Sequence, residues 1–368
     1  GRSVGGSTTV NWTSSFRTPD DVLRHWQDIY DLNDITAAEL APWFDQAEQE
    51  LSISPWTIAA NENNDLLRRG CAALSFSSAV IPRNVKGCAN LGYCGLGCPI
   101  NAKQSMLVTA IPNALKHGAT LISRARVNQL LVNNNLVQGV EIVAMDNFGK
   151  PINAKNYRFY ASSVFLAAGS IASPGILLRS AIDDPHQLIG KRTFLHPTVA
   201  SAAIMDEPVN AFQGAPQSIY SDHFLWRDGV TGEMGYKLEV PPLHPMITAT
   251  ILPRHGAEHK QLMQQFDHMQ VIIALVRDGF HPEDIGGRVE LDNNNREILT
   301  YPLLKLFWRA AKESLQNMAR IQFAAGAKQV LAVHQEANLQ SSLTQQINEI
   351  NRLPMQEHQL SVFSAHVM

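Results

Sequence analysis

The sequence predicts an α/β chain, α+β overall, in which an α/β domain is interleaved with an antiparallel-sheet domain. Three observations point there. Residues 164–182, VFLAAGSIASPGILLRSAI, read as a buried strand that runs through Gly169 into a helix. Upstream, residues 120–163 alternate apolar and polar side chains, with turn signals at Asn133-Asn134-Asn135 and Asn147-Phe148-Gly149, the pattern of a meander. Downstream, residues 198–292 are strand-like, and helical spacing returns from Leu303 to Val333 with Gly326 near a break.

The other elements follow in order. Thr18-Pro19-Asp20 signals a helix start. Thr36 with Glu39 three residues on, and Pro42 near the first turn, predicts a capped second helix. NENNDLLRRGCAAL predicts a third helix that ends near Gly70. A glycine- and cysteine-rich loop over 88–104 leads into a helix closed by Gly118. GGRVELDNNNREILTYPL predicts a hairpin around Asn293-Asn294-Asn295, and a last helix starts near Leu343.

Composition narrows the function classes. With 368 residues, 45% hydrophobic and 17% charged, the chain is globular and long enough for two domains. A net charge of -3 with scattered Lys and Arg gives no electrostatic footprint for nucleic acid. No apolar run approaches the roughly 20 residues of an integral membrane segment. The compartment, cytoplasmic or periplasmic, stays open. Of four cysteines, Cys88, Cys94 and Cys98 crowd into eleven residues, which suits a metal site, a local disulfide or buried thiols. Cys71 reads as core.

Two segments carry ligand chemistry. In the opening GRSVGGSTTVN, Gly5, Gly6, Ser7 and Thr8 offer unobstructed N–H groups and hydroxyls, suited to a pyrophosphate or a flat ring. Asn11 adds an amide for a ring edge. Gly169, at the strand-to-helix turn, lets backbone N–H groups approach a ligand at a helix N-terminus.

Together these segments resemble the two signatures of the glucose–methanol–choline (GMC) oxidoreductases, a family of FAD-dependent alcohol-oxidising enzymes. GRSVGGSTTVN resembles the first; GSIASPGILLRS resembles the second, except that Ala181 and Ile182 stand where Ser-Gly is usual. LIGKRTFLHP, RVELDNNNREILTYPL with the helix to AAGAKQV, and SVFSAHVM are similar to later family landmarks in the same order. The family's G-x-G-x-x-G turn is absent, and the chain ends two residues after His366. The resemblance therefore implies an internal fragment of a flavoprotein: a Rossmann-like FAD-binding domain, incomplete, interleaved with an antiparallel-sheet substrate domain. The implied division is 1–17 as FAD-contacting loop, 18–100 as helical cap and Cys-rich loop, and 101–190 as the middle of the FAD domain. Residues 191–345 form the substrate domain, and 346–368 return to the FAD domain with the active-site segment.

The resemblance also implies roles. His366 is the catalytic histidine that takes the alcohol proton while a hydride leaves for the flavin, work suited to an imidazole with an ordinary pKa near 6.5. Gly5, Gly6, Ser7, Thr8, Asn11 and Gly169 contact FAD, and Val127 offers its backbone to adenine. His196, in FLHP, reads as a packed and hydrogen-bonded strand-turn residue. One branch of the family carries cysteines at the C-x5-C-x3-C spacing of Cys88, Cys94 and Cys98 around an iron–sulfur cluster, which joins a disulfide and buried thiols as options here. The expected reaction oxidises the CH–OH group of a small-molecule alcohol, with oxygen, a quinone or a redox partner as final acceptor. The apolar PPLHPMITATIL segment leans toward a hydrophobic alcohol. The alternative is a non-catalytic, truncated flavoprotein-like scaffold or interaction module.

Overall fold

The computed structural model describes residues 2–367, Val367 by its backbone only; Gly1 and Met368, the ends of the first and last sequence segments, lie outside the described residues. The chain divides into two compact units. The first comprises Gly1–His117, Pro197–His281 and Lys305–Phe363, and the second Gly118–His196, Pro282–Leu304 and Ser364–Met368.

The first unit is built on a sheet with the strand order Gln329–Ala332, Leu195–Ile204, Met269–Val276, Tyr236–Glu239, Ile219–Phe224, Ala79–Val80. These neighbours pair antiparallel, for example Ile272 opposite Ser201 and Leu238 opposite Ala274. Met269–Val276 is buried at every residue, which explains the unbroken apolar run from Val271 to Val276: both faces are covered. The helix Lys305–Ala324 buries Ala311, Leu315, Met318 and Ile321 at helical spacing and packs on Met269–Val276. Inside this layer Gln322 is satisfied by Ser201 and Gln270, at 2.7 Å from the Ser201 hydroxyl and 2.8 Å to Gln270 Oε1.

The helix Glu62–Ala73 starts as the sequence indicates, with the Asn61 side chain accepting from Asn64 N–H. It does not end near Gly70 but runs through it. A Cβ at Gly70 would lie 2.3 Å from the Ile321 carbonyl oxygen, so this glycine serves the crossing with Lys305–Ala324. That settles the sign of a substitution. Alanine normally favours a helix interior by about 0.5–1 kcal/mol, but overpacking against backbone costs about 1–3 kcal/mol or more. Gly70→Ala is therefore expected to destabilise the protein, read as a lower urea midpoint at unchanged m-value.

Thr36 and Glu39 form the expected reciprocal cap on Ala37–Glu50. Thr18 makes no such cap: Pro19 is the N-cap of Asp20–Tyr30, and Asp20 and Asp21 in the first turn complement the helix dipole instead. Residues 198–292 also hold two short helices, Pro245–Ile251 and Gly256–Met263, besides their strands.

The second unit contains the expected meander, Ala125–Asn133, Leu136–Met145 and Pro151–Tyr160, whose first turn places Asn134 and Asn135 at positive φ. The hairpin Gly287–Leu291 and Glu297–Thr300 pairs with Lys191–Thr193. Between them runs the helix Gly169–Arg179, pinned by Arg179, which donates to Asn128 O at 2.7 Å and to Glu297 Oε1 at 2.8 Å.

One expectation fails here. VFLAAG is not a buried strand: residues 163–168 are irregular, and Phe165 is 94% exposed. A strand is made by its neighbour, and among the described residues no strand pairs with this run.

Candidate active site

The opening segment folds as a 3-10 turn over Gly6–Thr9, entered through Gly5 at φ 89° and Gly6 at φ 61°. Both glycines are needed for left-handed backbone, and Gly6 has open space where a Cβ would stand. Thr8 is bound into the turn: its hydroxyl donates to Gly5 O at 2.6 Å and accepts from Met106 N–H at 3.0 Å. Ser7 is exposed, and the buried Asn11 Oδ1 has no hydrogen-bond partner. An orphaned acceptor beside an open, glycine-lined turn is what a loop made for a polar ligand leaves behind.

Two buried cations that no motif singles out hold this loop. Lys103 is 3% exposed, and its ammonium donates to the carbonyls of Thr9, Asn11 and Cys94 at 2.6, 3.0 and 2.8 Å. Arg83 is fully buried. It donates to Thr13 Oγ1, Pro216 O and Trp12 O, approaches Cys94 Sγ at 3.3 Å, and lies 4.9 Å from the Trp56 ring centre. Carbonyls, a hydroxyl and an aromatic face satisfy these charges in place of carboxylates.

The cysteine loop therefore belongs to the same framework. Its sulfurs already have donors: Cys88 accepts from Asn90 N–H at 3.4 Å and Cys94 from Arg83. Cys98 is desolvated, yet the N–H groups of Lys103, Ile100 and Ala102 hold its thiol below the ordinary value. Burial pushes Cys94 up, against the pull of Arg83. All four cysteines are free thiols, and the core residue Cys71 is pushed up to about 11 by burial. A cavity of about 20 Å³ among Cys88, Cys94 and Cys98 has room for little more than a water. Among the described residues no group of three or more His, Cys, Asp or Glu is disposed to hold a metal ion. The three thiols thus do not fit an iron–sulfur cluster: the space between them is too small and they are not gathered about a common centre.

In the second unit, Gly169 opens the helix Gly169–Arg179 at φ 85°, with open space above its Cα and no side chain capping the helix. A helix start of this kind suits a phosphate oxygen. Val127 lies half-buried on Ala125–Asn133, opposite Ile142 and beside a register shift before Gln129. His366 lies on the strand Phe363–Val367. Its imidazole stacks on that of His196, ring centres 5.4 Å apart and planes at 27°. Desolvation pushes His366 below its ordinary value, although the residue as a whole keeps solvent access. His196 thus packs, as its sequence context suggests, but its partner is the candidate catalytic ring, which no local pattern announces.

The sequence-derived residues fall into two sets. Gly5, Gly6, Ser7, Thr8 and Asn11 share the first unit with the cysteine loop, while Val127, Gly169 and His366 belong to the second. Among the described residues no helix is long and apolar enough to cross a membrane.

An uncharacterized GMC-type oxidoreductase of Mycobacterium tuberculosis is 31% identical over 332 residues, covering 90% of this chain and 50% of the relative. A long-chain-alcohol oxidase of Arabidopsis thaliana is 27% identical over 341 residues, covering 90% of this chain and 44% of the relative. The chain spans about half the length of the curated relatives it matches. Among solved structures, pyridoxine 4-oxidase from Mesorbium loti superposes with a TM-score of 0.59 at 15% identity, covering 96% of this chain and 70% of that one. Formate oxidase from Aspergillus oryzae gives 0.61 at 12% identity, with 99% and 73% covered, so the fold is shared. The family model described as GMC oxidoreductase matches residues 1–198, more than half of the 368 residues, and the chain belongs to the GMC oxidoreductase family.

Proposed function

We propose that the protein to which this chain contributes is an FAD-dependent oxidoreductase that oxidises the CH–OH group of an alcohol, with His366 as the base. FAD, when bound, supplies a two-electron acceptor for the hydride that leaves the alcohol carbon. The observation that carries the reading is the His366 imidazole: accessible, held against a second ring, and desolvated enough to favour its neutral, proton-accepting form.

Other residues have binding work. The turn at Gly5 and Gly6 presents backbone and the Ser7 hydroxyl to the cofactor, Thr8 holds the turn in shape through its bonds to Gly5 and Met106, and Asn11 offers its unpaired Oδ1 to a donor on the cofactor. The start of Gly169–Arg179 suits the pyrophosphate, and Val127 contributes main chain to adenine, so its side chain is replaceable. In the reaction His366 accepts the hydroxyl proton as the carbinol hydrogen departs, which avoids a free alkoxide. Long-chain-alcohol oxidases among the relatives, and the apolar segment at residues 241–252, favour a hydrophobic alcohol. Oxygen, a quinone or a redox partner takes the electrons onward.

Colour tests the cofactor. Purified natural protein is expected to show flavin absorbance or to gain it on titration with FAD, and anaerobic addition of a long-chain alcohol should bleach it. Protein that neither carries nor takes up FAD would overturn the reading; bleaching by sugars but not by long-chain alcohols would overturn the substrate class alone.

A further inference from the structure

We infer that His196 is a positioning residue for His366, holding the imidazole of the proposed base in one orientation through its flat ring face. The inference rests on the proposed role of His366 and deepens it. Three contacts carry it. The two rings lie 5.4 Å apart at 27°, an offset-stacked geometry that leaves the ring edges, where the nitrogens are, pointing away from the contact. The His196 N–H donates to Ser364 Oγ at 3.2 Å, and the Ser364 hydroxyl donates to the His366 carbonyl. Backbone and ring of the terminal segment are thereby tied to one residue.

His196 is itself well anchored. Pro197 follows it and holds its backbone in the extended region, at the start of the strand Leu195–Ile204. The arrangement lends order to a side chain on a strand that pairs with Leu195–Ile204, the strand that carries His196. Imidazole has two side-chain torsions, and χ2 is a broad sp³–sp² rotor, so a free ring samples both faces and many tilts. A stacked neighbour removes most of that freedom. Proton abstraction is sensitive to it, because a base displaced by an ångström loses rate far beyond the loss of a contact. The flat face is what this role needs, so phenylalanine should serve where alanine cannot.

The test has two arms. In the FAD-loaded natural protein, His196→Ala is expected to lower kcat about tenfold with KM little changed, and His196→Phe to recover most of that rate. Independently of activity, the His366 ring resonance in histidine-labelled protein, assigned through His366→Gln, should lose its ring-current shift and broaden in His196→Ala but not in His196→Phe. If alanine prevents folding, Ser364→Ala and His196→Phe carry the comparison, with Ser364→Ala expected to broaden the same resonance. An unmoved His366 resonance in His196→Ala would overturn the inference, as would a phenylalanine variant as impaired as alanine. Failure of the base reading is separate: full turnover in His366→Gln would remove that role, while the resonance arm would still decide whether the ring is held.

Discussion

Replacing His366 by glutamine is expected to lower the rate of flavin reduction by alcohol about 10²–10⁴-fold at pH 7, the span of a lost general base, with FAD content preserved. Glutamine keeps the approximate length and a hydrogen-bonding end but cannot accept the proton. The depressed His366 value sets the pH dependence. Since desolvation disfavours the charged ring, the basic form persists at pH values where an ordinary histidine is already protonated. The acid limb of kcat/KM should therefore lie below the usual midpoint near 6.5 and vanish in the glutamine variant. Stopped-flow reduction across pH measures both. A variant rate within threefold of the parent would remove His366 from the chemistry.

The second large effect is structural and concerns Lys103. Lys103→Met keeps the apolar stem but leaves the carbonyls of Thr9, Asn11 and Cys94 without their donor. Each deserted acceptor costs about 1–3 kcal/mol if it stays dry, while relief of the buried ammonium's desolvation returns part of the sum. The lost bonds win because there are three of them and one cation, so a net loss of about 2–4 kcal/mol is expected by urea denaturation. The same change frees the Gly5–Asn11 turn, and FAD affinity should fall at least tenfold, read by flavin titration. Lys103→Arg keeps the charge but not the three-donor point geometry, and should fall between the two. A methionine variant as stable as the parent would show that water replaces the ammonium at little cost.

What could be read in the sequence was local. The reciprocal Thr36–Glu39 cap, the Asn134–Asn135 turn and the meander depend on residues within a few positions of one another, so their chemistry is visible in a short window. What could not be read was decided at a distance. Gly70 resembles a helix end because glycine usually marks one, yet its cause is the carbonyl of Ile321, some 250 residues away. The run 164–168 has a strand's composition, but among the described residues no strand pairs with it. The candidate site divides the same way. The glycine turns are legible as motifs, whereas Arg83 and Lys103 look like any basic residues until the carbonyls that hold them are placed. The cysteines mislead in the opposite sense. Their spacing suggests convergence on a ligand, but it says nothing about which donors each sulfur faces.

The strand Pro151–Tyr160 has a consequence for how the protein behaves in bulk solution. Among the described residues it pairs on one side only, with Leu136–Met145, and all ten of its residues are exposed, Ile152 at 63% and Tyr160 at 69%. A bare edge with apolar side chains is a template for any extended chain that meets it. Lys155 supplies the restraint, since two copies aligned edge to edge would bring like charges together, whereas Arg158 is paired with Glu141. That restraint is electrostatic and fades with added salt, whereas the attraction of the apolar side chains does not. Colloidal stability of this protein should thus run opposite to the common salting-in rule, with dilute buffers keeping it dispersed and concentrated ones favouring association.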